Sequence, residues 1–509
     1  MDASPEQLVA EFLNEHRRSR TYLRSRISAL AELAASKDPG VAESATRALF
    51  ASLIERLADS FDPESVSLYN RVFSQVTQIW RADARAKLLD SELTDLGLVS
   101  EEALIARAER LRRVSRLAGP RTLAETLQRV LVLSRVTLGA DVAITSVILD
   151  RIKHLFPAAE INLLGGNKSV ELFGGDSRLR FNDIDYLRRG TTAERLLSWV
   201  DLLNCVRSIT DSLTRGEYLI IDPDTRLTQL GLLPLTENDD RVEPRLSSNT
   251  GVEDVTESTY HPDYVFFPSR EYGSGTSLSL AELTSAWLDE VFGEGALTYP
   301  HVSLSQADIE SARKLATALT GAGGRSIVAT NFGIGENHLK RVAGEFEASI
   351  VSHLVQKGSA VVFDKGAGAE EAGRADAVLA EAARIERDGR RARVIEIGAH
   401  NLMDVLSSER LDADILVWNG RIGMLAALIG ESDLYIGYDS AGQHIAAALG
   451  VACIDVFAGS NSPRMLDRWR PTGKAETRVV AVDMLSGSAN ARNVLERVLD
   501  HVGQMLVER

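Results

Sequence analysis

After Gly119-Pro120 the chain repeats one unit: a short apolar run, a turn, and a helical stretch. Val130-Leu131-Val132-Leu133 is the first such run and offers no polar residue to water. A strand like this is buried on both faces, and parallel strands of that kind need helical crossovers to return the chain to the same end of the sheet. The pattern therefore selects an α/β layer architecture. A strand over 128–134 is followed by a helix over 141–156, which Pro157 ends, and by a strand over 160–164. Leu219-Ile220-Ile221 and Tyr264-Val265-Phe266-Phe267 continue the first block. A second block begins near 325, with strands expected over 326–330, 360–363, 394–396, 434–436 and 453–457. Two such blocks predict two doubly wound sheets, whose ligands bind beyond the carboxyl ends of the strands. The acid-rich stretch 236–263 reads as a surface loop, and a last helix is expected over 490–507.

Residues 1–118 carry only helical periodicity. Ser4-Pro5-Glu6-Gln7 is a capping-box start with proline at the first helical position. Leu23, Ile27, Leu30 and Ala34 form one stripe; Val66, Tyr69, Phe73, Val76 and Trp80 form another; Leu104, Ala108, Leu111 and Val114 a third. Breaks fall at Asp38-Pro39-Gly40, at Asp62-Pro63 and near Gly97. The expectation is a helical bundle whose stripes pack on one another. Arg17, Arg18, Arg20, Arg24 and Arg26 read either as a solvated face or as a grip on an acidic partner.

The formal charge of −15 argues against nucleic acid as a partner. Two cysteines, Cys205 and Cys453, are too few for a disulfide framework or a cysteine-rich metal knuckle. No run approaches the roughly 18 to 20 apolar residues of a membrane span, and Asp2, Glu6, Glu11 and Glu15 interrupt any leader-like stretch, so a cytoplasmic protein without an integral membrane segment is expected.

Chemistry concentrates in Asp433-Leu-Tyr-Ile-Gly-Tyr-Asp439-Ser440-Ala441-Gly442-Gln443-His444. A strand runs into a tight turn at Asp439-Ser440, and a small-residue helix follows. Ser440 is placed to cap that helix, its first N–H groups favour an anion such as a diphosphate, and Gly442 would let a ligand approach the backbone. This segment resembles the lipopolysaccharide heptosyltransferases, glycosyltransferase family 9, with Asp439 and His444 at the family's spacing and Ala441 where glycine is usual. Gly139-Ala140-Asp141 through Val147 resembles the family's amino-terminal motif, with Ala140 and Val147 as departures. Gly333 to Arg341 resembles its glycine-rich turn followed by Lys-Arg, with Val342-Ala343 replacing Trp-Pro. Asn419 to Met424 resembles the loop lining its base pocket, and Trp469-Arg470-Pro471 its proline-containing loop.

The resemblance spans about 125–480 and implies a GT-B fold: an acceptor-side Rossmann-like domain over 122–310 and a donor domain over 311–509, preceded by the all-helical 1–118. It implies Asp141 as catalytic base. It implies Gly333, Gly335, Lys340, Gly420, Met424, Asp439, Ser440, Gly442 and His444 as donor contacts, and Asp222 and Arg226 on the acceptor side. The implied activity is inverting sugar transfer from a nucleoside diphosphate sugar, ADP-heptose being the family's usual donor, to a glycan, lipid-linked or protein acceptor. A nucleotide-sugar 2-epimerase and a non-catalytic sugar-nucleotide-binding scaffold are the competing readings. Asp222-Pro223-Asp224 and Asp412-Ala413-Asp414 have the Asp-x-Asp form of a metal site, but no histidine spacing supports a metal, so neither metal nor cofactor is expected. The helical segment is a candidate surface for oligomer formation.

Overall fold

A computed structural model of the chain describes residues 3–113, 126–187, 190–236, 263–321, 324–335, 338–387, 389–408, 410–459, 462–482 and 488–507. The Gly119-Pro120 boundary, Val114 and nearly all of the acid-rich stretch lie outside these residues.

Two parallel sheets organise the molecule. The first contains β1 (Arg129–Leu133), β2 (Glu160–Gly165), β3 (Leu179–Asp183), β4 (Tyr218–Asp222) and β5 (Tyr264–Phe266), in the order β3-β2-β1-β4-β5. The second contains β6 (Ile327–Asn331) and β7 (Ala360–Asp364). A small hairpin, β8 (Glu386–Arg387) and β9 (Arg390–Arg391), follows. Next come β10 (Val394–Gly398), β11 (Ile415–Asn419), β12 (Leu434–Tyr438), β13 (Ala452–Phe457) and β14 (Thr477–Ala481), ordered β10-β11-β7-β6-β12-β13-β14. This is a two-domain α/β architecture with two doubly wound parallel sheets. β3, β11 and β14 were not expected; Leu179–Asp183 and Thr477–Ala481 carry polar residues and lie at sheet edges, where one side needs no apolar cover. The helix expected over 141–156 begins as a π turn, Asp141–Thr145, before the α-helix Ser146–Leu155.

Strand order reverses between β1 and β4 in the first sheet and between β6 and β12 in the second. Chains leaving these paired strands diverge to opposite faces, and the divergence opens a crevice at their carboxyl ends.

β1 shows why both faces must be covered. Val130 and Val132 enter one core with the helices Ser146–Leu155 and Leu280–Phe292, and that core continues to Ala329, Tyr435 and Cys453 of the second sheet. Leu131 and Leu133 enter the opposite core, with Leu164, Ile220 and Phe266. The cover there comes from the helix Thr192–Thr210 and from the amino-terminal helices: α1 (Pro5–Ser19), α2 (Arg24–Ala34), α3 (Pro39–Arg47), α4 (Glu55–Ala58), α5 (Pro63–Arg81), α6 (Lys87–Asp95) and α7 (Glu101–Arg113). Phe12, Leu30, Leu53, Phe73 and Trp80 belong to the same cluster as the strand leucines. The helices are thus not a self-contained bundle, because their stripes also supply the missing layer over the first sheet. Of the arginines in the α1–α2 region, Arg18 pairs with Glu15, Arg20 with Glu64, Arg24 with Glu101 and Arg26 with Glu11. Those internal pairs, exposed and individually weak, remove most of the charge foreseen as a partner-binding face.

The shared core carries a stability prediction. Phe73→Ala should cost about 3–5 kcal/mol, read as a lower denaturant midpoint. Tryptophan fluorescence from Trp80 and Trp199, both in this core, and far-UV circular dichroism should then report one coincident transition. Separate loss of helical signal before the fluorescence change would show that the helices fold independently.

Candidate functional site

At the second crevice β12 ends in Tyr438, Asp439-Ser440 turns the chain, and the helix Ala441–Leu449 begins. Ser440 holds the N-cap position with extended backbone, but its hydroxyl makes no capping bond. The expected serine cap is absent, so no side chain caps this first turn. An uncapped helix start presents backbone donors and the positive end of the helix dipole to an anion.

Asp439 is bound at both oxygens. Gln443 Nε2 donates to Oδ1 at 2.8 Å, and Lys340 Nζ donates to Oδ2 at 2.5 Å and to the Asp439 carbonyl at 2.9 Å. Lys340 stands on the short turn His338–Lys340 rather than on a long helix. Gly459, in the left-handed region at φ 68°, presses against the backbone of Leu339 and Lys340; a Cβ there would overlap it. The loop after β13 thereby seats the lysine.

His444 is buried, and burial pushes its imidazole down to about 4, so it is neutral at physiological pH. Its ring meets Trp469 edge-on at 5.9 Å. Gly139 of the first domain lies against the His444 ring and Ala441, where an added Cβ would be 3.2 Å from the ring. The two motifs, 139–141 and 439–444, therefore meet across the cleft. Gly442 does not serve a ligand as foreseen: it is buried, and a Cβ would sit on the Tyr435 hydroxyl. Asp455 on β13 is buried with neither oxygen hydrogen-bonded, and desolvation together with Asp439 raises it far above the carboxylate range.

On the first-sheet side, Asp141 is not open to the cleft. It is 1% exposed. Its carboxylate accepts from Ser134 Oγ (2.7 Å), Arg135 N (2.7 Å) and Thr145 Oγ1 (2.8 Å), with burial the largest influence raising its proton affinity. The residue expected to act as base instead clamps the turn that leaves β1. Asp222 is likewise internal, accepting from Thr225 N, Thr228 Oγ1 and Tyr264 OH, so it offers nothing to an acceptor. Asp224 pairs with Arg270 at 2.9 Å, and Arg135 donates to the Pro223 and Asp224 carbonyls. Burial and Arg270 lower Arg135 to about 9, which still leaves it a cation at neutral pH. Arg226 is half-buried and, among the described residues, makes no side-chain hydrogen bond or ion pair.

Other expected donor contacts lie elsewhere. Gly333 lines a hollow with Asp364, Lys365, Gly366 and Glu371, and Gly335 lies beside it, bonded to Glu371. The Gly333 N–H is taken by Asn331 Oδ1, and the Gly335 and Ala367 N–H groups by the Glu371 carboxylate. Those donors are occupied by the protein itself. Burial raises Asp364 to about 6. Met424 is 1% exposed within the core, and Gly420 packs on the Trp418 ring. That loop instead reaches Glu171 of the first domain through Gly423 N (3.0 Å), and Arg421 pairs with Asp308 (2.8 Å). Asp412 and Asp414 pair with Arg390 and Arg393. Among the described residues, no cluster of three or more His, Cys, Asp or Glu has the geometry to hold a metal ion.

The sequence reading missed the turn between α4 and α5. Arg464 donates to the Phe61 carbonyl at 2.9 Å, and the Phe61 ring meets Trp469 at 6.4 Å. Phe61 holds a left-handed φ of 53°, a conformation that a bulky residue keeps only when its surroundings enforce it. The amino-terminal helices thus reach the wall of the cleft. Asp62-Pro63 marked a helix start in the sequence, and nothing local announced what the preceding turn would touch.

No family model and no curated protein matches the chain. Among solved structures it is similar to a glycosyl transferase family 9 protein from Veillonella parvula DSM 2008, with 14% identity, TM-score 0.49, and coverage of 75% of this chain and 98% of that one. It is similar to the E. coli ADP-heptose lps heptosyltransferase II, with 13% identity, TM-score 0.45, and coverage of 75% and 99%. It is also similar to a putative UDP-N-acetylglucosamine 2-epimerase from Listeria monocytogenes, with 13% identity, TM-score 0.37, and coverage of 74% and 88%.

Two outcomes test this geometry. Gly442→Ala should destabilise the fold by about 1–3 kcal/mol through overpacking, and Tyr435→Phe in the same chain should restore part of it by removing the hydroxyl; equal loss in both variants would refute the contact. His444 has a folded pKa below its unfolded value, so the unfolded chain binds the extra proton, and stability is lost as pH falls from about 6.5 towards about 4. Asp364 acts with the opposite sign in that window, so the test is a difference: His444→Gln should lose less stability than wild type between pH 7 and 4.5.

Proposed function

We propose that this cleft transfers a sugar from a nucleoside diphosphate sugar to an acceptor hydroxyl, with inversion at the anomeric carbon and no obligatory metal. The observation that carries the reading is the Lys340–Asp439 pair beside the uncapped start of the helix Ala441–Leu449, at the point where strand order reverses. A donor diphosphate seated there meets backbone N–H groups, and Lys340 exchanges a carboxylate for phosphate oxygens. The leaving diphosphate gains negative charge as the sugar departs, and fixed donors aimed at that charge lower the barrier. Asp439 and Gln443 keep the lysine and the turn in register.

The acceptor enters from the first sheet. Arg226, half-buried in the loop after β4, stands on that side, which suits an acceptor that carries acidic or strongly polar groups. Glycan, lipid-linked and protein hydroxyls all satisfy this chemistry, and an ADP-linked heptose is the donor suggested by the family resemblance. A separate acceptor side favours transfer over a 2-epimerase, which handles the sugar nucleotide alone.

Incubation with ADP-, GDP- and UDP-linked sugars, with and without EDTA, tests the reading. Nucleoside diphosphate should be released from one donor class, and release should persist in chelator. Lys340→Ala should weaken that donor's binding by about 10- to 100-fold, the usual loss for one charge-assisted contact. Binding of no member of the panel, or restoration only by Mg²⁺ or Mn²⁺ after chelation, would overturn it.

A further inference from the structure

The turn between α4 and α5 carries the helical segment into the core shared by both sheets. Among the described residues of 3–113, Phe61 alone belongs to the apolar cluster that joins Val130 of β1 to Tyr435 and Cys453 of the second sheet. Phe12, Phe50 and Phe73 of the same segment lie in the core on the opposite face of the first sheet. Phe61 is 1% exposed. Local bonds fix the turn on either side of it: Ser60 Oγ donates to the Arg56 carbonyl at 2.9 Å, and Asp62 Oδ1 accepts from Ser65 N at 2.9 Å as the cap of α5.

Phe61 meets the helix Pro463–Trp469 of the second domain, which is tied at both ends. Arg464 donates to the Phe61 carbonyl at 2.9 Å. Arg468 donates to the Gly273 carbonyl at 2.7 Å and to the Leu278 carbonyl, both in the segment that follows β5. Trp469 then touches the donor turn in two ways. Its ring stands edge-on to Phe61 at 6.4 Å and to His444 at 5.9 Å. Its carbonyl accepts from Gln443 Nε2 at 3.3 Å. The same Nε2 donates to Asp439 Oδ1 at 2.8 Å, and the other oxygen of Asp439 holds Lys340. Gln443 is buried, and its Oε1 has no hydrogen-bond partner among the described residues. The orientation of the amide is therefore set by the acceptors of Nε2. Without the Trp469 carbonyl, the strongest remaining tie is to Asp439 itself. A flipped amide would set oxygen against oxygen there.

We infer that Phe61 is a positioning residue for donor binding: through Trp469 and Gln443, the amino-terminal helices hold Asp439, and with it Lys340, in the arrangement that receives a diphosphate. The identity of the ligand rests on the function proposed above; the chain of contacts does not. A site ordered in advance binds more tightly, because its side chains need not be immobilised when the ligand arrives. The layer that covers the first sheet thus acts on the turn at the end of the second.

The test compares one exchange at two places in the full chain. Phe61→Leu removes the ring that meets Trp469. Phe73→Leu removes a ring that meets Phe50 and Tyr69, in a cluster that holds no residue of the second domain. Binding of ADP, GDP and UDP is measured by calorimetry, and hydrogen exchange is followed in peptides covering 439–446. Phe61→Leu should weaken the nucleotide that wild type binds by about 3- to 30-fold and speed exchange over 439–446 by about 3- to 10-fold. Phe73→Leu should leave both within about 2-fold, as expected for a distant, independent site. Arg464→Met, an exposed exchange that opens no cavity, should act in the same direction as Phe61→Leu. Gln443→Leu should cost less in the Phe61→Leu background than in wild type, because residues of one network are not additive. Equal effects of Phe61→Leu and Phe73→Leu, or additive losses in the double variant, would overturn the assignment and leave the transfer reading intact. A wild type that binds none of the three nucleotides would overturn the transfer reading instead, and exchange over 439–446 then decides by itself whether Phe61 holds the turn.

Discussion

Strands that are apolar on both sides must be covered on both sides, and the architecture follows from that demand. β1 sends Val130 and Val132 one way and Leu131 and Leu133 the other. Parallel pairing places every turn that follows a strand at one edge of each sheet. That edge, where strand order reverses, is where polar groups can meet without breaking a core. The first sheet's second face is covered largely by the amino-terminal helices. Their position as a structural layer is also what brings the turn at Phe61 against Arg464 and Trp469.

Electrostatics at this edge sort carboxylates by environment. Asp141 and Asp222 have enough internal donors to tolerate burial, and they hold loops in place. Asp455 has no partner, so desolvation keeps its proton on. Asp439 is ionic and tied to Lys340. Chemically identical side chains thus become clamp, neutral core group or ion-pair partner, because a buried charge persists only when it is paired or hydrogen-bonded. Neutral His444, packed between Gly139 and Trp469, is shaped by the same rule: the cleft wall is too dry for an imidazolium.

The sheets were legible from local pattern because a fully apolar run has few other solutions. Leu219-Ile220-Ile221 and Cys453-Ile454-Asp455-Val456-Phe457 announced their strands, and Asp439-Ser440 announced its turn and helix. The helices of the amino-terminal segment were legible too, since capping residues and spacing are local properties; Asp62-Pro63 does start α5.

What escaped the sequence depends on which surfaces meet. A stripe such as Val66, Tyr69, Phe73 names the face that must be buried and not the partner that buries it, so a self-contained bundle and a cover for the first sheet look alike in one dimension. Gly442 was equally ambiguous, because a missing Cβ can make room for a ligand or, as here, for the Tyr435 hydroxyl. Asp141 kept its motif position, but only tertiary packing brought Ser134, Arg135 and Thr145 to its carboxylate. Sequence alone determined the elements, the parallel winding and the edge at which polar turns gather, all consequences of short-range sterics and hydrophobic periodicity. Tertiary structure decided which carboxylates are exposed, which are sealed and what the helices cover, because desolvation and pairing are set by neighbours distant in the chain.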